Sequence, residues 1–131
     1  MNAHEPLSLE ELFFFDGKPE ALALYERLRA ALLSQIGAER IEVIKTQISF
    51  YGRRLFAAVS FLPVRRAALR PSAFITLTFG LRYRHDSSRV DAAVEARPNR
   101  WTHHVMISRA DEIDEELLVW IRESAAAADA R

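Results

Sequence analysis

The spacing of apolar residues changes period along this chain, and each change marks a new element. Ser8, followed at the third place by Glu11 and then an apolar run, is a capping-box pattern that predicts a short helix over 8–14. Asp16-Gly17 makes a turn, and Pro19 suits the first position of a second helix. Ala21, Tyr25, Leu28, Leu32 and Ile36 then recur at intervals of four and three, giving one apolar helix face over 19–36 that Gly37 ends. The period now drops to two. "IEVIKTQISFY" sets Ile44, Ile48 and Phe50 against Lys45, Gln47 and Ser49. Gly52-Arg53 offers a type II′ turn, and "RLFAAVSFL" returns, so 41–62 reads as a hairpin. In that return Leu55, Ala57, Val59 and Phe61 oppose Phe56, Ala58, Ser60 and Leu62.

Pro63 closes the hairpin, and "VRRAALRPS" is a basic connection. Residues 73–81 alternate again, with Ile75, Leu77, Phe79 and Leu81 facing away from Phe74, Thr76 and Thr78. A long polar stretch follows, with room for a short helix over Arg89 to Ala96, and then a strand at 101–108. Ser108 and Asp111 are placed to cap a last helix over 111–127, on which Ile113, Leu117, Trp120, Ile121 and Ser124 share a face. Clean alternation implies a sheet shielded on one face. The pattern therefore predicts a single α+β domain over 1–131. Its two layers are an antiparallel sheet of three to four strands and helices, two N-terminal and one C-terminal, on one face.

Composition changes the picture in three respects. The 131 residues are 50% hydrophobic and 27% charged, which suits one folded domain and excludes general disorder. Cysteine is absent, which removes disulfides, thiolate metal sites and cysteine nucleophiles. Net charge is zero but unevenly spread: −4 over residues 1–39, +9 over 40–109 and −5 over 110–131. The basic middle either attracts an anion or is neutralised by the chain's own acidic helices. An acidic N-terminus without a signal-peptide plan, and no apolar run of membrane-spanning length, place the expected location in the cytoplasm.

"IKTQISF", "RRLFAAVSFLP", "RWTHHVMIS" and "DEIDEELLVWIRESAAAA", taken in order from about Phe13 to Ala128, resemble a bacterial family, domain of unknown function 5655. The resemblance implies a small α+β domain, found alone or attached to other modules. Some relatives resemble parts of proteins labelled transport-related or nuclease-associated. It implies no activity, cofactor or catalytic residue. The family's lysine-threonine and threonine-histidine pairs fall on Lys45-Thr46 and Thr102-His103, whereas His104 lies outside the pattern.

Candidate chemistry sits on the polar side of the strands. Lys45, Gln47 and Ser49, with Ser60, Thr76 and Thr78, form a stripe that is either a solvated sheet face or the floor of a shallow site. Lys18 and Lys45 are the only lysines in a chain that otherwise uses arginine. Adjacent strand residues point oppositely, so His103 should face the core beside Trp101, Val105 and Ile107, and His104 should join the stripe. His103 is the candidate general base if a carboxylate orients it, and otherwise a hydrogen-bonded core residue. Divergent neighbours make no metal site, and none is expected, nor any cofactor. Arg53-Arg54, Arg65-Arg66 and Arg82 with Arg84 flank strand ends, as a rim for phosphate or carboxylate or simply as solvated charge. No phosphate-binding glycine loop, nucleophile elbow or zincin motif occurs.

The sequence thus reads as an anion-binding module rather than an enzyme. The expected partner is a small anionic ligand, or a protein, held on the open sheet face by Lys45, Gln47, Ser49, Ser60, Thr76, Thr78, His104, Arg53 and Arg54. The alternative is an accessory domain that holds nucleic-acid backbone non-specifically through arginine pairs; a histidine-based enzyme comes third. A monomer or a homodimer through an edge strand is expected.

Overall fold

The computed structural model describes residues 1–130. Helices α1 (Leu9–Phe14) and α2 (Pro19–Gln35) precede strands β1 (Arg40–Val43), β2 (Ile48–Tyr51), β3 (Leu55–Ser60), β4 (Ile75–Leu81), β5 (Ala92–Arg97) and β6 (Arg100–Ile107), and α3 (Glu115–Asp129) follows. The strands form one antiparallel sheet in the order β1-β2-β3-β4-β6-β5. The α+β class is as the pattern predicts, but the sheet has six strands rather than three or four.

Both additional strands have local causes. "IEVIKTQISFY" doubles back at Ile44–Gln47, where the Ile44 N–H donates to the Gln47 carbonyl at 2.9 Å and Val43 pairs with Ile48. Val43 and Ile48 share a face although they are five residues apart, so the turn moves the inward positions from odd to even, and Ile44, expected beside Ile48 and Phe50, is an exposed turn residue. Residues 92–97, where a short helix had room, form the edge strand β5 instead. Pro98 and Asn99, the latter at φ 60°, join Arg97 to Arg100 and lay the segment against β6. Pairing with a neighbour outweighs the modest helix preference of alanine and glutamate here.

Two turns also differ. Gly52 does not take the positive φ that a type II′ turn demands; its N–H donates to the Arg54 carbonyl, and β3 carries an extra residue, Phe56, opposite the Phe50–Tyr51 step of β2. The last helix begins at Glu115 rather than 111. Asp114 caps it by accepting from the Leu117 N–H, while Glu112 accepts from the Ser108 and Arg109 N–H groups across a 3-10 turn. Ser108 and Asp111 therefore do not cap α3.

One sheet face carries Ile48, Phe50, Ala57, Val59, Ile75, Leu77, Phe79, Val105 and Ile107. These residues form one buried cluster with Tyr25, Leu28 and Leu32 of α2 and Leu117, Trp120 and Ile121 of α3. The other face is partly roofed at one end. There the Thr76 hydroxyl donates to the Leu62 carbonyl at 2.8 Å, and Asp91 accepts from the Met106 N–H at 2.7 Å while pairing with Arg65. Thr76 and Met106 are buried as a result.

Candidate functional site

Strand register assembles the polar stripe. Ser49, Ala58, Thr78, His104 and Ala92 form one row across β2, β3, β4, β6 and β5, and Ser60, Thr76 and Met106 form the next. Where these rows leave the roofed end they floor a wide hollow of about 700 Å³. Its polar residues are Lys18, Lys45, Thr46, Gln47, Ser60, Thr78 and His104; Phe13, Phe14, Phe61 and Leu62 form an apolar wall.

The wall is built by aromatic packing. Phe14 stacks on Phe61 with centroids 5.2 Å apart, and Phe15 meets Phe61 edge-on at 5.4 Å, which joins the end of α1 to the strand exit of β3. The Lys18 ammonium then stands 4.9 Å from the Phe61 ring centroid. Lys45 enters from the β1–β2 turn. No carboxylate lines the hollow, and neither lysine forms an ion pair among the described residues.

Of the residues expected at the site, Lys45, Gln47, Ser60, Thr78 and His104 come together there. Ser49 is buried beside them and accepts from the Gln47 side-chain amide at 2.8 Å, so it orients Gln47 rather than meeting a ligand. Thr76 is fully buried and its hydroxyl is spent on Leu62. Arg53 and Arg54 do not join the site: they lie in the β2–β3 turn at the far end of the hairpin, where Arg53 donates to the Asp129 carbonyl at 2.6 Å. Lys18 and the phenylalanine wall were not anticipated. The signal for them was present in the chain having only two lysines and in the run Phe13-Phe14-Phe15 beside one of them.

The histidines divide as parity requires. His104 is half-buried with Nδ1 2.8 Å from the Thr78 hydroxyl, and burial holds its pKa below the ordinary 6.5. If Thr78 donates that bond, the neutral ring carries its proton on Nε2. His103 is fully buried, stacks on Phe79 at 5.2 Å, and accepts the His85 N–H on Nε2 at 3.0 Å. Burial lowers its pKa as well; the neighbouring Trp101 carbonyl opposes that shift without forming a bond to Nδ1, which has no partner among the described residues. Neither ring meets a carboxylate among the described residues, so neither has the orienting partner expected of a general base. His103 instead pins the 82–91 segment to the sheet, an anchoring completed by Arg89, which binds Asp114 and Glu116 at 2.9 Å.

Stability should follow these two rings. Unfolded, they take up protons near pH 6.5; folded, only at lower pH. The unfolded chain therefore binds more protons below 6.5, and stability is full above that pH and lost as pH falls through it. Thermal melts should show a constant midpoint on the alkaline side and a decline by about pH 5.5. His103→Gln should flatten that decline, and a midpoint equally sensitive in the variant would refute the assignment.

Among the described residues no group of three or more His, Cys, Asp or Glu side chains is arranged to hold a metal ion, and no helix is long and apolar enough to cross a membrane. Residues 13–125 match the family described as Domain of unknown function (DUF5655). No curated protein and no solved structure matches the chain.

Proposed function

For a chain that belongs to the DUF5655 family, whose description assigns no activity, we propose a binding function: it takes a small organic anion in the hollow between Lys18 and Lys45. In this reading the domain is a two-layer bacterial, cytoplasmic binding module, its helices gathered against the opposite sheet face. One observation carries it. The only two lysines of the chain line the same hollow, free of carboxylate partners among the described residues.

The rest of the lining defines the ligand. Two ammonium groups attract a carboxylate or similar head, and Gln47, Ser60, Thr78 and His104 offer hydrogen bonds that fix its orientation. Phe13, Phe14, Phe61 and Leu62 suit an aromatic or aliphatic body. A volume of about 700 Å³ fits a metabolite-sized molecule. Phenylacetate and octanoate are suitable probes, titrated calorimetrically and by amide chemical shifts. Shifts should centre on Ser60, Thr78 and His104. Lys45→Met and Lys18→Met, which keep the apolar stem, should each weaken binding about tenfold. Saturable binding unaffected by either variant, or no binding of either probe, would defeat the proposal.

A protein partner is the second reading, favoured by the exposed Leu9, Leu12 and Phe13 along α1 at the rim. Phe13→Ser would then leave small-anion binding absent in both forms and abolish the association instead.

A further inference from the structure

A second cluster of charge lies elsewhere on the sheet. Leu81 pairs with Trp101, so Arg82 continues β4 beside Arg100, and Arg97 pairs with Arg100 directly. The bulge in β5 makes that last pairing: Ala96 is the extra residue, and it advances Arg97 to stand against Arg100. Arg97 and Arg100 thus stand opposed at the ends of β5 and β6, and Arg82 follows one residue past the end of the neighbouring β4. Like charges directly opposed across a sheet repel and cost stability. Most arginines of this chain with a neighbouring acid use it, as Arg29, Arg65, Arg89 and Arg109 do. Arg82, Arg97 and Arg100 make no ion pair or side-chain hydrogen bond among the described residues. Glu95, the acid of β5, instead accepts from the Asn99 N–H. The last carbonyls of α3 are served by Arg53, not by this trio.

Arg82, Arg97 and Arg100 line a cavity of about 290 Å³ that reaches into a gap between β3 and β4. Trp101, Thr102 and Gly80 line it and Ser124 lies at its end; no carboxylate does. We infer that this cleft is a second anion site, which takes the phosphoryl group of a small phosphate monoester between Arg82, Arg97 and Arg100. Planar guanidinium forks match phosphoryl oxygens in pairs, and a dianion relieves the repulsion among three adjacent cations. The cavity admits a phosphoryl head with a compact body over Thr102 and Gly80, which share the sheet face of Arg100. It does not admit a duplex, and a phosphodiester strand brings only one charge per phosphate to a site built for a terminal group. The inference does not rest on the lysine hollow, with which the cleft shares only Gln47 and Thr78 at the border.

The test is calorimetric titration in chloride buffer with inorganic phosphate, glucose 6-phosphate and adenosine monophosphate, using glucose, adenosine and a mixed-sequence single-stranded DNA as controls. The monoesters should bind saturably, one per chain, and raise the melting temperature; whichever body binds more tightly identifies a sugar or a nucleoside as the carrier. Arg97→Gln and Arg100→Gln should each weaken that binding at least about tenfold. Arg100→Gln without ligand should melt no lower than the parent chain, because it removes a repulsion. Lys45→Met should leave monoester binding unchanged, which separates this site from the hollow. No saturable binding of any monoester, binding indifferent to the arginine variants, or arginine-dependent DNA binding without monoester binding would overturn the inference.

Discussion

Arg29→Ala is expected to lower the stability of the folded chain by about 3–5 kcal/mol, the cost of stripping a buried carboxylate of its partner. Arg29 and Glu11 are both about 3% exposed at their side chains, so water screens the pair very little. The Glu11 carboxylate accepts from Arg29 Nε at 2.8 Å and Nη2 at 3.4 Å, from the Tyr25 hydroxyl, and from the Ser8 N–H at 2.9 Å. Burial, reinforced by the Glu11 charge, holds the Tyr25 hydroxyl protonated far above the tyrosine range. Without the guanidinium, Glu11 must protonate in place or drag water into the core. Equilibrium urea unfolding measures the loss directly. The double variant Glu11→Leu/Arg29→Met should recover only part of it, because the apolar pair removes the unpaired charge but leaves the buried Tyr25 hydroxyl without its acceptor. If the single variant loses less than about 1 kcal/mol, the buried pair is not holding this corner together.

The same variant should reach the candidate site. Arg29 also donates to the carbonyls of Glu5 at 2.7 Å and Pro6 at 3.4 Å, and so ties the N-terminal arm to α2. Glu11 closes the capping box that starts α1. Phe13, Phe14 and Lys18 follow directly and supply one side of the hollow. Loosening the tie frees that wall, so anion affinity should fall in Arg29→Ala although Arg29 touches no part of the hollow.

Little of this buried tie could be read from residue order. Arg29, four residues after Tyr25 and three before Leu32, stands at the margin of the apolar stripe, which marks it for burial but names no partner, and Glu11 fits a capping box without one. What joins them is the angle at which α1 meets α2, a tertiary quantity. Parity, by contrast, was legible wherever strands ran straight, and it placed His103 inward and His104 on the stripe. It failed at Ile44–Gln47, where a four-residue turn moves the inward positions from odd (Ile41, Val43) to even (Ile48, Phe50) and leaves Ile44 exposed. It also said nothing about which strand ends share a side of the sheet. That is why Arg53 and Arg54 were assigned to a site they never reach, while Arg97, drawn beside Arg100 by one bulged residue, was passed over.

Ser124→Val is expected to cost about 1–3 kcal/mol, as the buried Phe56 carbonyl and the exposed Gly80 N–H lose one shared partner. The β3–β4 ladder runs from Ser60↔Thr76 to Ala57↔Phe79 and stops. One step further Phe56 and Gly80 would face each other, but the Ser124 hydroxyl lies between them, donating to the Phe56 carbonyl at 2.8 Å and accepting from the Gly80 N–H at 3.1 Å. A helix side chain thus substitutes for the missing rung and holds the strands apart where the arginine cleft enters the sheet. Ser124→Thr keeps the hydroxyl and matches valine in shape, so the difference between the two variants isolates the bridge from the packing. The threonine form should retain most of the stability and a slowly exchanging Gly80 amide, and the valine form should lose both. An alternative outcome has its own signature: if the strands close on each other in Ser124→Val, Gly80 stays protected and stability hardly changes. The gap then shuts, and monoester binding disappears while Arg82, Arg97 and Arg100 are all still present. The wedge would in that case shape the cleft without stabilising the fold, and the expected energy loss would be disproved.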